Sequence, residues 1–182
     1  MVFHPHTVQA CTTTLLGPVR LAASPIGLSG LWFEGQRHEP GPWLYGATAW
    51  PEAHGHPVLQ NAARQLQQYL AGQRASFDLP LDLSGGTPFQ QAVWRALLTI
   101  GRGATTSYGA LSRQLGRPLA VRALGAAVGR NPLSVVVPCH RVVGMDGSLT
   151  GYAGGLDRKR ALLTLENAQL AATSGHQPKG YA

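Results

Sequence analysis

The chain has 182 residues, 44% apolar and 13% charged, with a formal net charge of +7. That supplies a sizeable core for one large domain or, the better fit, two small ones, while no apolar run approaches a bilayer span and the start, Met1-Val2-Phe3-His4-Pro5-His6, lacks the layout of a secretory signal. The two cysteines, Cys11 and Cys139, lie far apart without CxxC spacing, which excludes a disulfide framework and an all-thiolate zinc site and fits a cytoplasmic protein.

Along the first part, Ala10 to Leu16 and Val19 to Ala23 read as short β-prone runs divided by Gly17-Pro18. Ser24-Pro25-Ile26-Gly27 marks a turn before a third run, Leu28 to Phe33. A small antiparallel sheet is expected. From Glu34 to His56 the glycine-, proline- and tryptophan-rich stretch has no period and reads as an ordered loop. Pro57 suits the first turn of a helix ending near Ala71, with Leu59, Ala62, Ala63, Leu66, Tyr69 and Leu70 on one face and Gly72 as the stop. Ala75 to Leu81 offers one more strand.

Leu83-Ser84-Gly85-Gly86 reads as a linker, dividing the chain into domains at 1–84 and 87–170 with a polar tail at 171–182. Thr87-Pro88-Phe89-Gln90 combines a capping-box pattern with proline at the first helical position, and Phe89, Val93, Leu97 and Ile100 continue at helical spacing. Ser107 can cap a short helix holding Leu111 and Leu115. Gly116 ends it, and Pro118 opens another running to about Gly129, a helix-turn-helix pattern. Val121, Leu124 and Val128 form its expected core stripe, leaving Arg122, Ala123, Ala126 and Arg130 outward. Small outward residues let a helix approach something bulky, although alanine chosen for helix propensity would look the same.

Charge divides with these halves. Residues 1–89 carry four arginines against five carboxylates, whereas residues 90–182 carry eleven Lys and Arg against three, leaving −1 and +8. The whole positive excess accompanies Cys139, and such a field suits a polyanion such as nucleic acid.

Cys139 follows an apolar run, Val135-Val136-Val137-Pro138, read as a strand with the thiol at its end, and precedes His140-Arg141. A cysteine is most often a small buried hydrophobe. Here an adjacent imidazole and guanidinium would make an electropositive spot in which a thiol pKa can fall. Beyond it lie the turn Met145 to Ser148, the glycine-rich Gly151-Tyr152-Ala153-Gly154-Gly155, and a closing helix from Leu156 to about Leu170 that contains Glu166.

Pro138-Cys139-His140-Arg141, with Asn131-Pro132, Gly151 to Gly155 and Arg122, resembles the O6-alkylguanine-DNA alkyltransferases over nearly all of residues 87–168, and more loosely upstream. The resemblance implies an α+β, two-domain fold. An amino-terminal ribonuclease-H-like domain of sheet and helix would precede a mostly helical, winged-helix-like domain carrying the helix-turn-helix and the active site. It implies direct-reversal repair, with an alkyl group passing from O6 of a flipped guanine to Cys139.

By the same likeness His140 takes the thiol proton through a water, Glu166 orients the imidazole, Tyr108 donates toward guanine N3, and Asn131 shapes the turn. Arg122 fills the gap left by the everted base, from the minor groove, beside Ala123, Ala126 and Arg130. Pro138, Val142, Tyr152, Ala153 and Gly154 complete the pocket. The implied partner is double-stranded and also single-stranded DNA, bound by a monomer, with no membrane. The thioether product has no route back to the thiol, so one turnover per molecule is expected, with no metal or other cofactor. A lesion reader lacking chemistry is disfavoured by Cys139 itself. A cysteine hydrolase is disfavoured because adjacent strand residues face opposite sides and no oxyanion-hole pattern accompanies them.

Overall fold

The computed structural model describes residues 1–168. Three antiparallel strands, β1 (Val8–Thr14), β2 (Gly17–Ala23) and β3 (Leu28–Phe33), form one sheet in the order β1-β2-β3, with Cys11 opposite Arg20 and Leu21 opposite Leu31. Gly17 takes a φ of +105° at the β1–β2 turn, so the Gly17-Pro18 pair opens β2 and does not separate the strands from outside. Every residue of β3 is buried. One face of the sheet is covered by α2 (Pro57–Leu70), whose Leu59, Ala62, Leu66, Tyr69 and Leu70 join the main core. Before α2, the expected loop contains one helical turn, α1 (Gly41–Leu44), and Leu44 and Trp50 pack with Ala22 and Trp32 in a second apolar cluster.

The expected strand at Ala75–Leu81 does not form. Gln65 takes the backbone instead: its amide donates to Asp78 O at 2.8 Å and accepts from Asp78 N at 2.8 Å. Pro80 has no N–H to give, and a single bridge between Leu28 and Leu81 remains.

In the second half, α3 (Pro88–Leu98) begins at Thr87 with a full capping box, Gln90 N donating to Thr87 Oγ1 and Thr87 N to Gln90 Oε1. A two-residue strand, β4 (Thr106–Ser107), leads into α4 (Tyr108–Gln114), capped by Ser107. Gly116, at φ +67°, turns the chain toward α5 (Val121–Gly129). Helix α5 starts later than expected, because Arg117 to Ala120 forms a separate turn closed by the Ala120 N–H to Arg117 O. Its buried stripe is Leu124, Ala127 and Val128. Val121, placed at the helix start, is 39% exposed and does not belong to the core. Trp94 of α3 packs here and donates its indole N–H to Ala127 O at 2.9 Å.

No strand precedes Cys139. Val135 has φ +70°, and the N–H groups of Val136, Val137 and Cys139 turn back to Ser134, Leu133 and Val137 carbonyls, so Leu133 to Cys139 is a run of buried tight turns. Cys139–Arg141 is a one-turn 3₁₀ helix, after which β5 (Val142–Val143) pairs in parallel with β4. Helix α6 (Leu156–Leu165) closes the described chain. Glu166 is its C-cap and not an interior residue, and the expected continuation to Leu170 and the tail at 171–182 lie outside the described residues. The halves are stitched at β3, where Leu31 N donates to Pro132 O at 2.8 Å and Ser134 N to Leu31 O at 3.0 Å.

Candidate active site

A 3₁₀ turn rotates successive side chains by roughly 120°, so Cys139, His140 and Arg141 leave the backbone in three directions. Only Cys139 faces the cavity, of 280 Å³, which is lined by Tyr108, α5 from Gly125 to Arg130, and Gly151, Tyr152 and Ala153. Cys139 is 5% exposed. Asn131 holds the turns around it: its amide donates to Val137 O at 2.8 Å, Leu133 O at 3.3 Å and Cys139 Sγ at 3.1 Å, while its Oδ1 accepts from Leu133 N at 3.0 Å. Four interactions on one buried amide fix the thiol's position. Burial pushes the Cys139 thiol pKa up, against the Asn131 hydrogen bond and the positive charge of Lys159. The sequence expectation of a thiol already acidified by its two basic neighbours therefore fails in its cause, since Arg141 points elsewhere.

His140 is fully buried and its Nε2 lies 2.6 Å from Glu166 Oε1. Its Nδ1 is buried with no hydrogen-bond partner among the described residues. Burial lowers the His140 pKa, with Glu166 opposing, and a neutral imidazole can accept a proton. Arg141 clamps the same carboxylate, Nε to Oε2 at 2.8 Å and Nη2 to Oε1 at 3.2 Å, and also donates to Ile100 O. Although burial alone would raise it, these bonds hold the Glu166 carboxyl well below the usual carboxylate range.

The remaining expected residues divide between two locations. Tyr108, Tyr152, Ala153, Ala126 and Arg130 line the cavity. Burial raises the Tyr108 phenol pKa, so it stays a donor, and the Tyr152 hydroxyl is buried without a partner among the described residues. Arg122 and Ala123 lie exposed on the outer side of α5, off the cavity wall.

Three residues assigned to the pocket do not line it. Pro138 faces a different cavity behind the site, with Tyr69, Ile100 and Arg141, because the turn at Val137 to Cys139 puts its ring on the opposite side from Sγ. Val142 is fully buried and its carbonyl accepts Lys159 Nζ at 2.6 Å. Gly154 sits behind the Tyr152 ring: a Cβ there would come within 2.8 Å of that ring and 3.2 Å of Phe33. Its lack of a side chain leaves Tyr152 room to stand against the pocket.

Sequence reading missed several parts of this arrangement. Lys159, fully buried on α6, donates to the carbonyls of Val142, Thr150 and Gly151 at 2.6, 2.6 and 3.3 Å, pinning the pocket loop to β5. Burial lowers its pKa to about 8. Arg158 donates to Gly154 O at 3.0 Å and to Leu16 O at 2.9 Å while covering Phe33, which ties that loop to the β1–β2 turn. Arg37 and His38, from the loop after β3, reach the cavity mouth, and Arg37 N donates to Ala153 O at 3.0 Å. No local signal marks these residues, because each acts across a long stretch of sequence.

Comparison with known proteins follows the same division. Residues 8–83 match the ribonuclease-like domain of 6-O-methylguanine DNA methyltransferase, and residues 88–168 match the DNA binding domain of the same family. The methylated-DNA–protein-cysteine methyltransferase of Mycobacterium tuberculosis is 47% identical over 157 residues, covering 86% of this chain and 90% of that protein. The enzyme of that name from Methanosarcina barkeri is 43% identical over 158 residues, 85% of this chain and 94% of its own length. The crystal structure of the Mycobacterium tuberculosis OGT in complex with DNA superposes with a TM-score of 0.76 at 44% identity, over 86% of this chain and 91% of that one. With both halves matched and nine-tenths of a relative spanned, the chain belongs to the 6-O-methylguanine DNA methyltransferase family.

Proposed function

We propose that this protein repairs alkylated DNA directly, moving the alkyl group from O6 of guanine onto Cys139. The observation that carries the reading is Cys139 at the wall of an open cavity beside a helix that carries Arg122 and ends at Arg130, with a buried histidine–glutamate pair beginning at the next residue. A cavity of 280 Å³ is at the small end of ligand sites, about 300 Å³ and upward, and suits one nucleobase.

In the step itself the Cys139 proton passes to His140, whose unpartnered Nδ1 is the open acceptor, by way of a water. Glu166 on Nε2 stabilises the imidazolium that results. The sulfur lone pair forms a bond to the alkyl carbon, the carbon–O6 bond breaks, and its electron pair remains on the base. Tyr108 donates a hydrogen bond toward N3 as that charge develops, and the Ala153 N–H does so toward O6. The guanine anion takes one proton from solvent and the His140 imidazolium returns one to solvent, so the exchange balances. The product is a thioether that nothing at the site is arranged to cleave, which makes each molecule a single-use reagent.

A guanine inside a duplex cannot reach this cavity, so it must rotate out at a cost of a few kcal/mol. Arg122, exposed on α5 between small alanines, fills the vacated stack from the minor groove while Ala123 and Ala126 let the helix approach. The protein acts as a monomer on double-stranded and single-stranded DNA in the cytoplasm, with residues 1–84 as scaffold and 87–170 as the DNA-binding and transfer domain. Peptide mass analysis after incubation with an O6-methylguanine oligonucleotide tests this reading. A single methyl on the Cys139 peptide at equimolar yield is expected. Repeated turnover would indicate a hydrolase, and tight binding without modification a lesion reader.

A further inference from the structure

Glu166 Oε1 accepts a hydrogen bond from the Tyr69 hydroxyl as well as facing His140 Nε2, and Arg141 Nη2 reaches that same hydroxyl at 3.2 Å. Tyr69 belongs to α2 in the amino-terminal half, 97 residues before Glu166, and is 1% exposed. Its ring stacks on Phe77 with centroids 4.8 Å apart, and the Arg102 guanidinium lies 5.5 Å from its centroid. We propose that Tyr69 is a positioning residue for alkyl transfer, by which the amino-terminal half sets the strength and aim of the carboxylate that serves His140. The inference rests on the function proposed above.

A core tyrosine needs only some buried acceptor for its hydroxyl. This one spends its proton on the single oxygen that faces the imidazole. An oxygen already taking a phenol proton and a guanidinium proton is a weaker acceptor, so it orients His140 without drawing full imidazolium character onto it. Without the hydroxyl, Glu166 attracts a proton on His140 more strongly, and the histidine stays charged to higher pH. Burial and the Glu166 bond push the Tyr69 pKa up to about 12, which keeps the phenol a donor over the working range.

Charged and titratable groups face this cluster from every packed element. Arg141 stands on the 3₁₀ turn, Arg102 after α3, and Lys159 on α6, with Cys139 and the Tyr152 ring edge beside His140. Neither arginine changes charge between pH 5 and 9. Lys159 titrates near 8, above the acid limb in question.

The test is the rate of methyl transfer from an O6-methylguanine duplex across pH 5 to 9, for wild type, Tyr69→Phe and Leu59→Val. Tyr69→Phe should be roughly fivefold slower at neutral pH, the worth of one hydrogen bond, with its acid limb displaced to higher pH. Iodoacetamide alkylation of Cys139 without DNA should show the same displacement. Leu59→Val, which loosens the α2 core ten residues away from Tyr69, should keep the wild-type profile. A Tyr69→Phe profile that matches wild type, or that falls equally at all pH values as a packing defect would, overturns the inference. Should Tyr69→Phe not fold, 3-fluorotyrosine at position 69 strengthens the donor and must move the limb to lower pH; an unmoved limb counts against the proposal. Loss of methyl transfer in wild type would instead refute the function itself.

Discussion

The segment from Asn131 to Val143 and the outer face of α5 lie on two sides of one cavity, yet they are built by opposite rules. Every residue of the first is buried and its side chains bond inward, Asn131 through four interactions and His140 and Arg141 both to Glu166. The second presents Arg122, Ala123, Ala126 and Arg130 to solvent. Chemistry demands atoms held in place before substrate arrives, so its residues bond to one another. Binding to a long polyanion demands groups free to meet phosphates and bases. Substitutions on the two sides should therefore fail differently, the first in rate and stability together, the second in action on DNA with stability unchanged.

Glu166→Gln strikes the first side hardest. It leaves Arg141 buried without its counter-ion, a change that costs about 3–5 kcal/mol when one partner of a buried pair is removed. It also deprives His140 of its anionic partner, and transfer should slow by about two orders of magnitude. Urea unfolding and single-turnover transfer should report both losses, and a Glu166→Gln protein of wild-type stability would break the contrast. Acid should act in the same direction. The Glu166 pKa is depressed in the folded state, so its contribution to stability is complete above the unfolded value of about 4.3 and is lost as pH falls below it. Unfolding midpoints should drop steeply there in wild type and less so in Glu166→Gln.

Asn131→Ala comes next. It strips the amide from Val137 O, Leu133 O and Cys139 Sγ and leaves buried carbonyls without that donor, at about 1–3 kcal/mol. The thiol loses its nearest donor, so the pH at which iodoacetamide modifies Cys139 should rise. An unchanged pH would mean that Lys159, and not Asn131, offsets the burial of the sulfur.

How far the sequence showed this contrast depends on the range of each signal. The capping box at Thr87, the Gly116 turn and the apolar face of α2 are local and matched the structure closely, because each needs only residues within one or two turns. Val135 to Val137 misled, since β-branched residues favour a strand but here serve buried tight turns closed by Asn131. Pro138 and Val142 were placed in the pocket by nearness to Cys139 in sequence, and a 3₁₀ turn and a lysine bond remove them from it. Lys159, Tyr69 and Arg158 were unreadable for the complementary reason. A buried lysine on three carbonyls, or a phenol on a distant carboxylate, has no periodic or spacing signature and appears only once the halves have docked.

Arg122→Ala should have the smallest effect on the protein and the most selective effect on function. The side chain stands in solvent, so its removal should leave the unfolding midpoint within experimental error. Transfer should then depend on whether the base must be drawn from a stack. On a duplex the variant loses the group proposed to occupy the gap, and the rate should fall by roughly ten- to a hundredfold, the worth of a few kcal/mol of unstacking left uncompensated. On a single-stranded oligonucleotide there is no gap to fill, and the rate should stay within about twofold of wild type, since surface substitutions change little else. Equal losses on both substrates would instead make Arg122 an ordinary phosphate contact. In that case the loss should also shrink as salt is raised, because counterion release weakens every phosphate contact alike.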